Sequence, residues 1–338
     1  MTSISINVAF KAAGFEPSLI TIPPPAHDPT LRVTIYALRF KSPTQTPKEP
    51  LLLLHGYPQN SVIYRHLGPA LAKAGERDIV IADTRGNGQS SAPKARNLSP
   101  GEEGEIVHTE EVLRLRYSKR EVGRDLVYVM KHLGYDKFSI IGHDRGARVA
   151  HRMAADWPDE VVKIMLLDIA PTYDLIERTG PELAFVYWHW FFLPQPYPFP
   201  ESMILANPSV YLNKLLGAFT TAPKKIFPDD VFDTYLQQLT SPERVHATCE
   251  DYRSSGPGGI DLEHDAEDRK AGRKVKQPVR VLWAKTGIIE RLFGHDGTLA
   301  LWRNICESDD VDGRAVDCGH FIPEERPGDV LQDALAFF

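Results

Sequence analysis

The chain has 338 residues, 42% hydrophobic and 25% charged, with a formal net charge of −6. That is enough apolar material for one large domain, or for one domain with an inserted subdomain. The acidic balance offers no basic surface for nucleic acid or an anionic membrane, so an anionic substrate needs a local cationic pocket. Cys249, Cys306 and Cys318 are odd in number and widely spaced. They form neither a C-x-x-C metal pattern nor a disulfide framework, and a reducing, cytoplasmic setting is expected. The N-terminus lacks the basic region and long apolar run of a secretory signal. The longest apolar stretch, 185–193, is interrupted by His189 and is too short to span a bilayer. No cofactor is expected, and no metal.

In chain order, residues 18–23 and 31–38 alternate and are β-branched, which predicts an early hairpin. Leu51 to Leu54 is a continuous apolar run, as in a parallel strand buried on both faces, and it ends in His55-Gly56-Tyr57-Pro58. A helix is predicted over 62–73 and a strand over 78–82. Residues 93–117 are charged and without period, and they read as a surface excursion with a short helix near 110–116. A flap over the site is the alternative. A helix over 119–133 ends at Gly134. A strand at 138–141, a turn and a helix follow, then a strand over 161–167.

This alternation predicts an α/β fold with a mostly parallel sheet flanked by helices. It breaks at Pro171 and resumes at Pro278. Between them lie aromatic, proline-rich residues with helical stretches near 181–192, 209–219 and 229–239. The organisation expected is a core over 1–170, a helical cap over 171–265 and the rest of the core over 266–338. The last strand falls near 312–316, and a terminal helix starts near Asp329.

The chemistry centres on 138–153, FSIIGHDRGARVAHRM. Strand, glycine-bounded turn and helix match a nucleophile elbow, with Asp144 where an esterase carries serine. A capping Asp at an ordinary strand–helix turn is the alternative. Asp168 ends the next strand, and His320 follows the last one. Ligands of such sheets bind beyond the carboxyl ends of the strands, so nucleophile, acid and base would meet there as a triad. Glu290, beyond the strand at 279–284, is the other candidate acid. An Asp nucleophile suits displacement at sp³ carbon, giving an enzyme ester that water hydrolyses with His320 as base and Asp168 as its partner. The backbone N–H groups of Tyr57 and Arg145 are placed to stabilise the oxyanion.

Arg145 and Arg148 share a helix face and suit a substrate carboxylate, although Arg148 could instead pair with an acidic residue. In the cap, His189, Trp190 and Tyr252 offer ring N–H and O–H donors for a departing halide. Ordinary cap packing is the competing reading, because Trp188, Phe191 and Phe192 crowd the same stretch.

The motifs HGYPQ (55–59), GHDRGARVAHRMA (142–154), LLDIAPTYD (166–174), YWHWFFLPQP (187–196), CEDYR (249–253) and GHFIPEE (319–325) resemble those of the fluoroacetate (haloacetate) dehalogenases of the α/β-hydrolase superfamily. The resemblance runs from about residue 50 to the C-terminus. It implies the α/β-hydrolase fold with a cap, Asp144 as nucleophile, His320 as base with Asp168, and Arg145 and Arg148 as carboxylate clamps. It implies a halide pocket of His189, Trp190 and Tyr252, and a homodimer. His143 matches the motif without an assigned step. Tyr57 stands where the family usually has Phe, and the 93–117 excursion and the N-terminal extension are longer than in bacterial members.

The expected partners are a small anionic organohalide and water. Hydrolytic dehalogenation of a short 2-haloacid is the leading reading. An epoxide hydrolase shares the triad and would use cap tyrosines, Tyr252 with Tyr187 or Tyr211. A non-catalytic ligand receptor on the same scaffold is a third reading.

Overall fold

The apolar runs of the sequence form the middle of a twisted sheet. The computed structural model describes residues 7–94, 110–220, 223–307 and 309–338. Among these, eight strands pair in the order β1-β2-β4-β3-β5-β6-β7-β8. They are β1 (Glu16–Ile22), β2 (Val33–Phe40), β3 (Lys48–Leu54), β4 (Arg77–Ala82), β5 (Phe138–His143), β6 (Val161–Leu167), β7 (Val279–Ala284) and β8 (Val311–Val316). The β1–β2 hairpin is antiparallel and joins the sheet antiparallel to β4; every other pairing is parallel. Leu51 to Leu54 and all of β5 are buried, as continuous apolar strands covered on both faces must be. This is the α/β-hydrolase fold that the alternation and the motifs predict.

Two predicted helices come out divided. The segment over 62–73 is a 3₁₀ turn, Ser61–Tyr64, followed by a helix, Leu67–Ala74. Asn60 caps the turn through the Val62 N–H, and the Tyr64 hydroxyl donates to the Leu54 carbonyl at 2.7 Å, so tertiary bonds fix a tight turn there. The stretch over 181–192 is also two helices, Pro181–Val186 and His189–Phe192. The break at Tyr187 and Trp188 allows Tyr187, His189 and Trp190 to reach one cavity, which an unbroken helix would spread around its axis.

Between β6 and β7 the described chain is helical from Thr172 to Lys270, with short connections. The helices Thr172–Glu177, Phe199–Ala206, Pro242–Ser255 and Ile260–Lys270 are not among those expected. The third carries a start signal in its sequence: Ser241 caps it, Pro242 opens it and Glu243 stands in its first turn. The short helix of the 93–117 excursion spans Glu110–Leu115, and Arg116 anchors it to Asp28 at 2.7 Å. The flap reading concerns 93–117, of which 95–109 lie outside the described residues. No helix among the described residues is long and apolar enough to cross a membrane.

Candidate active site

Asp144 follows β5 directly, with φ 45° and ψ −114°, and the elbow helix Arg145–Asp156 begins at the next residue. A non-glycine residue held in this region costs about 1–3 kcal/mol, which the surrounding packing must over-determine. Gly146 makes the packing possible. A Cβ there would lie 2.4 Å from the His55 carbonyl oxygen and 2.5 Å from that of Leu54, so the helix rests directly on the end of β3.

The Asp144 side chain does not cap the helix it precedes. It turns to the neighbouring loop, where Oδ2 accepts the Tyr57 N–H at 3.1 Å. A Cβ on Gly56 would stand 2.7 Å from the Asp144 Cβ, so only glycine allows that amide to approach. The capping alternative is thereby removed. Burial opposes ionisation of Asp144, but the fields of His320, His143, Arg148 and Arg145 outweigh it and bring the pKa down to about 2. At neutral pH the group is a carboxylate.

Asp168 is also strained, at φ 55°, a feature that sequence reasoning missed. Its Oδ1 accepts the Ala284 N–H at 2.8 Å, across the end of β7. Its Oδ2 lies 2.6 Å from His320 Nδ1. Glu290 instead accepts the Trp283 indole N–H. Burial pushes the His320 pKa down, but the Asp168 bond and charge, with Asp144 and Glu325, hold it above the ordinary imidazole value. The proton on Nδ1 leaves Nε2 able to accept another, and the three residues stand at the carboxyl ends of their strands.

The two arginines of the elbow helix have different surroundings. Arg145 is paired: Nε donates to Asp251 Oδ2 at 2.5 Å, and Nη2 to the Asp251 carbonyl at 2.5 Å and to Ser255 Oγ at 3.0 Å. Lys119 Nζ shares Asp251 at 2.6 Å. Asp251 escaped the sequence reading because nothing local to CEDYR says which cation it meets. Nη1 of Arg145 is buried and finds no hydrogen-bond partner among the described residues. Arg148 Nη1 donates only to neutral oxygens, the Ala170 carbonyl at 3.1 Å and Thr172 Oγ1 at 2.9 Å. Among the described residues no carboxylate lies within ion-pair distance of it, and burial pushes its pKa down. Both guanidinium groups lie over the Trp190 ring, 5.2 Å and 4.4 Å from its centroid.

Above Asp144 is a small cavity lined by Tyr57, Tyr187, His189, Trp190, His320 and others. Tyr252 stands one layer behind, edge-on to Trp190 at 5.5 Å and to His189 at 5.8 Å. The Tyr252 hydroxyl and His189 Nδ1 are buried without a hydrogen-bond partner among the described residues. Each such polar atom costs about 1–3 kcal/mol. Burial holds His189 neutral, with a pKa of about 3, so it has one N–H to give. Tyr211 is turned elsewhere, 3.3 Å from the Tyr57 hydroxyl. The extra hydroxyl of Tyr57 is thus spent on Tyr211.

Glu201, His246 and Glu250 are close enough together to hold a metal ion. Arg253 Nη1 already donates to both carboxylates at 2.7 Å, so the cation of that cluster is an arginine. A larger cleft, about 1000 Å³, opens at Asn60, Asp83, Gln238 and Arg244. Its carboxylate, Asp83, accepts the Ser61 and Gln89 N–H groups.

An aspartate strained at an elbow, an Asp-bound histidine opposite it and a helical cap above are the parts of a hydrolase. The chain belongs to the alpha/beta hydrolase fold family, whose sequence profile matches residues 49–327. It is 38% identical over 243 residues to a fluoroacetate dehalogenase from Burkholderia sp, covering 72% of this chain and 73% of that protein, so the kinship expected from the motifs holds. It is 29% identical over 294 residues to a soluble epoxide hydrolase from Corynebacterium sp. (strain C12), covering 86% and 90%. A crystal structure of a protein from Nostoc sp PCC 7120, classed with the alpha/beta hydrolases, superposes with a TM-score of 0.80 at 39% identity, covering 97% of this chain and 98% of that one.

Proposed function

We propose that the protein hydrolyses the carbon–halogen bond of short 2-haloacids. Asp144 attacks the halogen-bearing carbon; the C–O bond forms as the carbon–halogen bond breaks, and the halide leaves with the bonding pair. Water then adds to the Asp144 carbonyl carbon of the ester. His320 Nε2 takes the water proton, and Asp168 stabilises the imidazolium. The oxyanion is met by the Tyr57 N–H, with the Arg145 N–H as its partner donor. On collapse the ester C–O bond breaks, the imidazolium of His320 gives its proton to the leaving alkoxide to release the 2-hydroxyacid, and the Asp144 carboxylic acid loses its proton to solvent, which restores the carboxylate.

The observation that carries this reading is Arg148, a buried guanidinium one turn from the nucleophile with no acid partner among the described residues. A substrate carboxylate supplies the missing charge, helped by Nη1 of Arg145. His189 and Tyr252, whose Nδ1 and hydroxyl have no hydrogen-bond partner among the described residues, and Trp190 solvate the halide.

A second reading, an epoxide hydrolase, is supported by Tyr187, which lines the same cavity and with Tyr252 could protonate an opening ring oxygen. The test is to offer fluoroacetate, chloroacetate and an aryl epoxide and to measure halide release against diol formation. Halide from the haloacids is expected. Diol alone would transfer the assignment to the second reading, and no turnover of any of them would leave a ligand receptor.

A further inference from the structure

His143 and Glu325 touch neither the Asp144 carboxylate nor the triad side-chain bond, yet both are tied to the backbone around His320. We infer that they are positioning residues for ester hydrolysis, His143 holding the His320 carbonyl and Glu325 the amides on either side of His320 in the chain. The inference rests on the Asp144-ester chemistry above and holds for either leaving group.

His143 is the last residue of β5 and is fully buried. Its Nε2 lies 2.9 Å from the His320 carbonyl oxygen, and the rings are 4.8 Å apart. A carbonyl can only accept, so the proton sits on Nε2. Nδ1 is then bare, and it has no hydrogen-bond partner among the described residues. Gly56 leaves room for it, since a Cβ there would stand 2.7 Å away. Burial, reinforced by the field of His320, lowers the His143 pKa to about 4, so the ring donates as a neutral group at working pH.

Glu325 folds back from the end of the short helix Ile322–Glu325. Its Oε1 accepts the Phe321 N–H at 3.0 Å, and Oε2 accepts the Gly319 N–H at 3.0 Å and the Thr220 hydroxyl at 3.2 Å. The His320 N–H goes to the Phe219 carbonyl, at 3.0 Å. Three successive amides and the His320 carbonyl are therefore all engaged; the His320 amide reaches the end of a cap helix directly, and Glu325 reaches it through Thr220. The Asp168 bond alone leaves the imidazole free to pivot about Nδ1; the backbone grip fixes where Nε2 points.

A merely structural role would slow every step. A positioning role is selective, because the displacement by Asp144 does not use His320 and ester hydrolysis does. A misplacement of this kind costs about a hundredfold in rate.

The test compares the wild-type protein with E325Q, H143L and H143Q on chloroacetate, or on an epoxide if that is what it turns over. Rapid-quench measurement gives the first-turnover burst, and intact mass gives the ester on Asp144. For E325Q and H143L the burst rate stays within a few-fold of wild type, steady-state turnover falls about ten- to a hundredfold, and the adduct accumulates. H143Q, whose amide N–H can replace Nε2–H, recovers most of the turnover. Burst and turnover falling together, or turnover unchanged, would overturn the inference while leaving the proposed function intact. A wild-type protein that forms no ester with either substrate class would sink both.

Discussion

Arg145 and Arg148 lie three residues apart on one helix face, yet among the described residues only Arg145 has an acid partner, Asp251. The acidic pairing considered for Arg148 occurs one turn earlier. The cap helix that carries Tyr252 also carries Asp251, so it locks one guanidinium, and the other is the one proposed to meet a substrate carboxylate.

This asymmetry predicts opposite signatures. Arg148→Leu lowers kcat/KM for haloacetates by about a hundredfold or more, the effect of truncating one partner of a buried charge pair. It costs little stability, because it removes a buried charge that has no acid partner among the described residues. Arg145→Leu weakens binding too, but it also strips Asp251 of its closest cation and destabilises the fold by about 3 kcal/mol. Steady-state kinetics with urea denaturation of both variants separates the two; equal loss of stability would contradict the assignment.

Replacing the triad acid arrests the second half of the reaction. Asp168→Asn can no longer hold His320 in its working tautomer, and turnover drops about 10³–10⁴-fold by analogy with the serine-hydrolase triad. The ester on Asp144 persists and is visible by intact mass. Glu290→Gln, whose carboxylate serves Trp283, leaves turnover within a few-fold. The reverse pattern would make Glu290 the acid.

The pH profile of kcat is set by His320. The base must be neutral, and its pKa is held above the ordinary imidazole value of about 6.5. Activity therefore declines on acidification from above that value, while Asp144 stays ionised down to about 2. The linkage sign is opposite for stability: a raised histidine pKa stabilises the fold below the unfolded value, and that contribution is lost as pH rises through the folded one. The acid limb shifts downward in Asp168→Asn, and a limb that stays put would assign it to another group.

Acid stability depends in part on imidazoles that burial keeps neutral, among them His143 with a pKa of about 4 and His189 with about 3. The unfolded chain protonates both near pH 6.5, so stability is intact above that value and falls as pH drops toward the folded values, by about 1.4 kcal/mol per group per unit. Thermal melts between pH 7 and 4 follow this loss. His189→Phe flattens the slope, and an unchanged slope would show that His189 is not held neutral.

Gly146→Ala forces a methyl against the His55 and Leu54 carbonyls and costs about 3 kcal/mol or more. Gly180→Ala, which meets nothing within 4 Å, is the neutral control. Denaturant midpoints check both, and a stable Gly146→Ala would mean that the elbow can relax.

Much of this was legible in the chain. The apolar runs at 51–54, 138–141 and 161–167 are long enough, and regular enough, to dictate central parallel strands. Asp144, Asp168 and His320 could be placed together because a parallel sheet aligns the ends of its strands. The division of 181–192 was not legible, because the aromatic run 187–192 looks helical until a shared cavity asks for Tyr187, His189 and Trp190 at once. The strain at Asp168 and the separate fates of Arg145 and Arg148 were equally hidden. The sequence by itself determined the sheet, the elbow and which residue types gather above it, since these follow from local periodicity and from which side chains the chain carries. Only the tertiary structure decided which guanidinium keeps an uncompensated charge and which backbone the His143 ring holds, because pairing across 106 and 177 residues is set by how the cap and the last strand dock, and no local pattern encodes that distance.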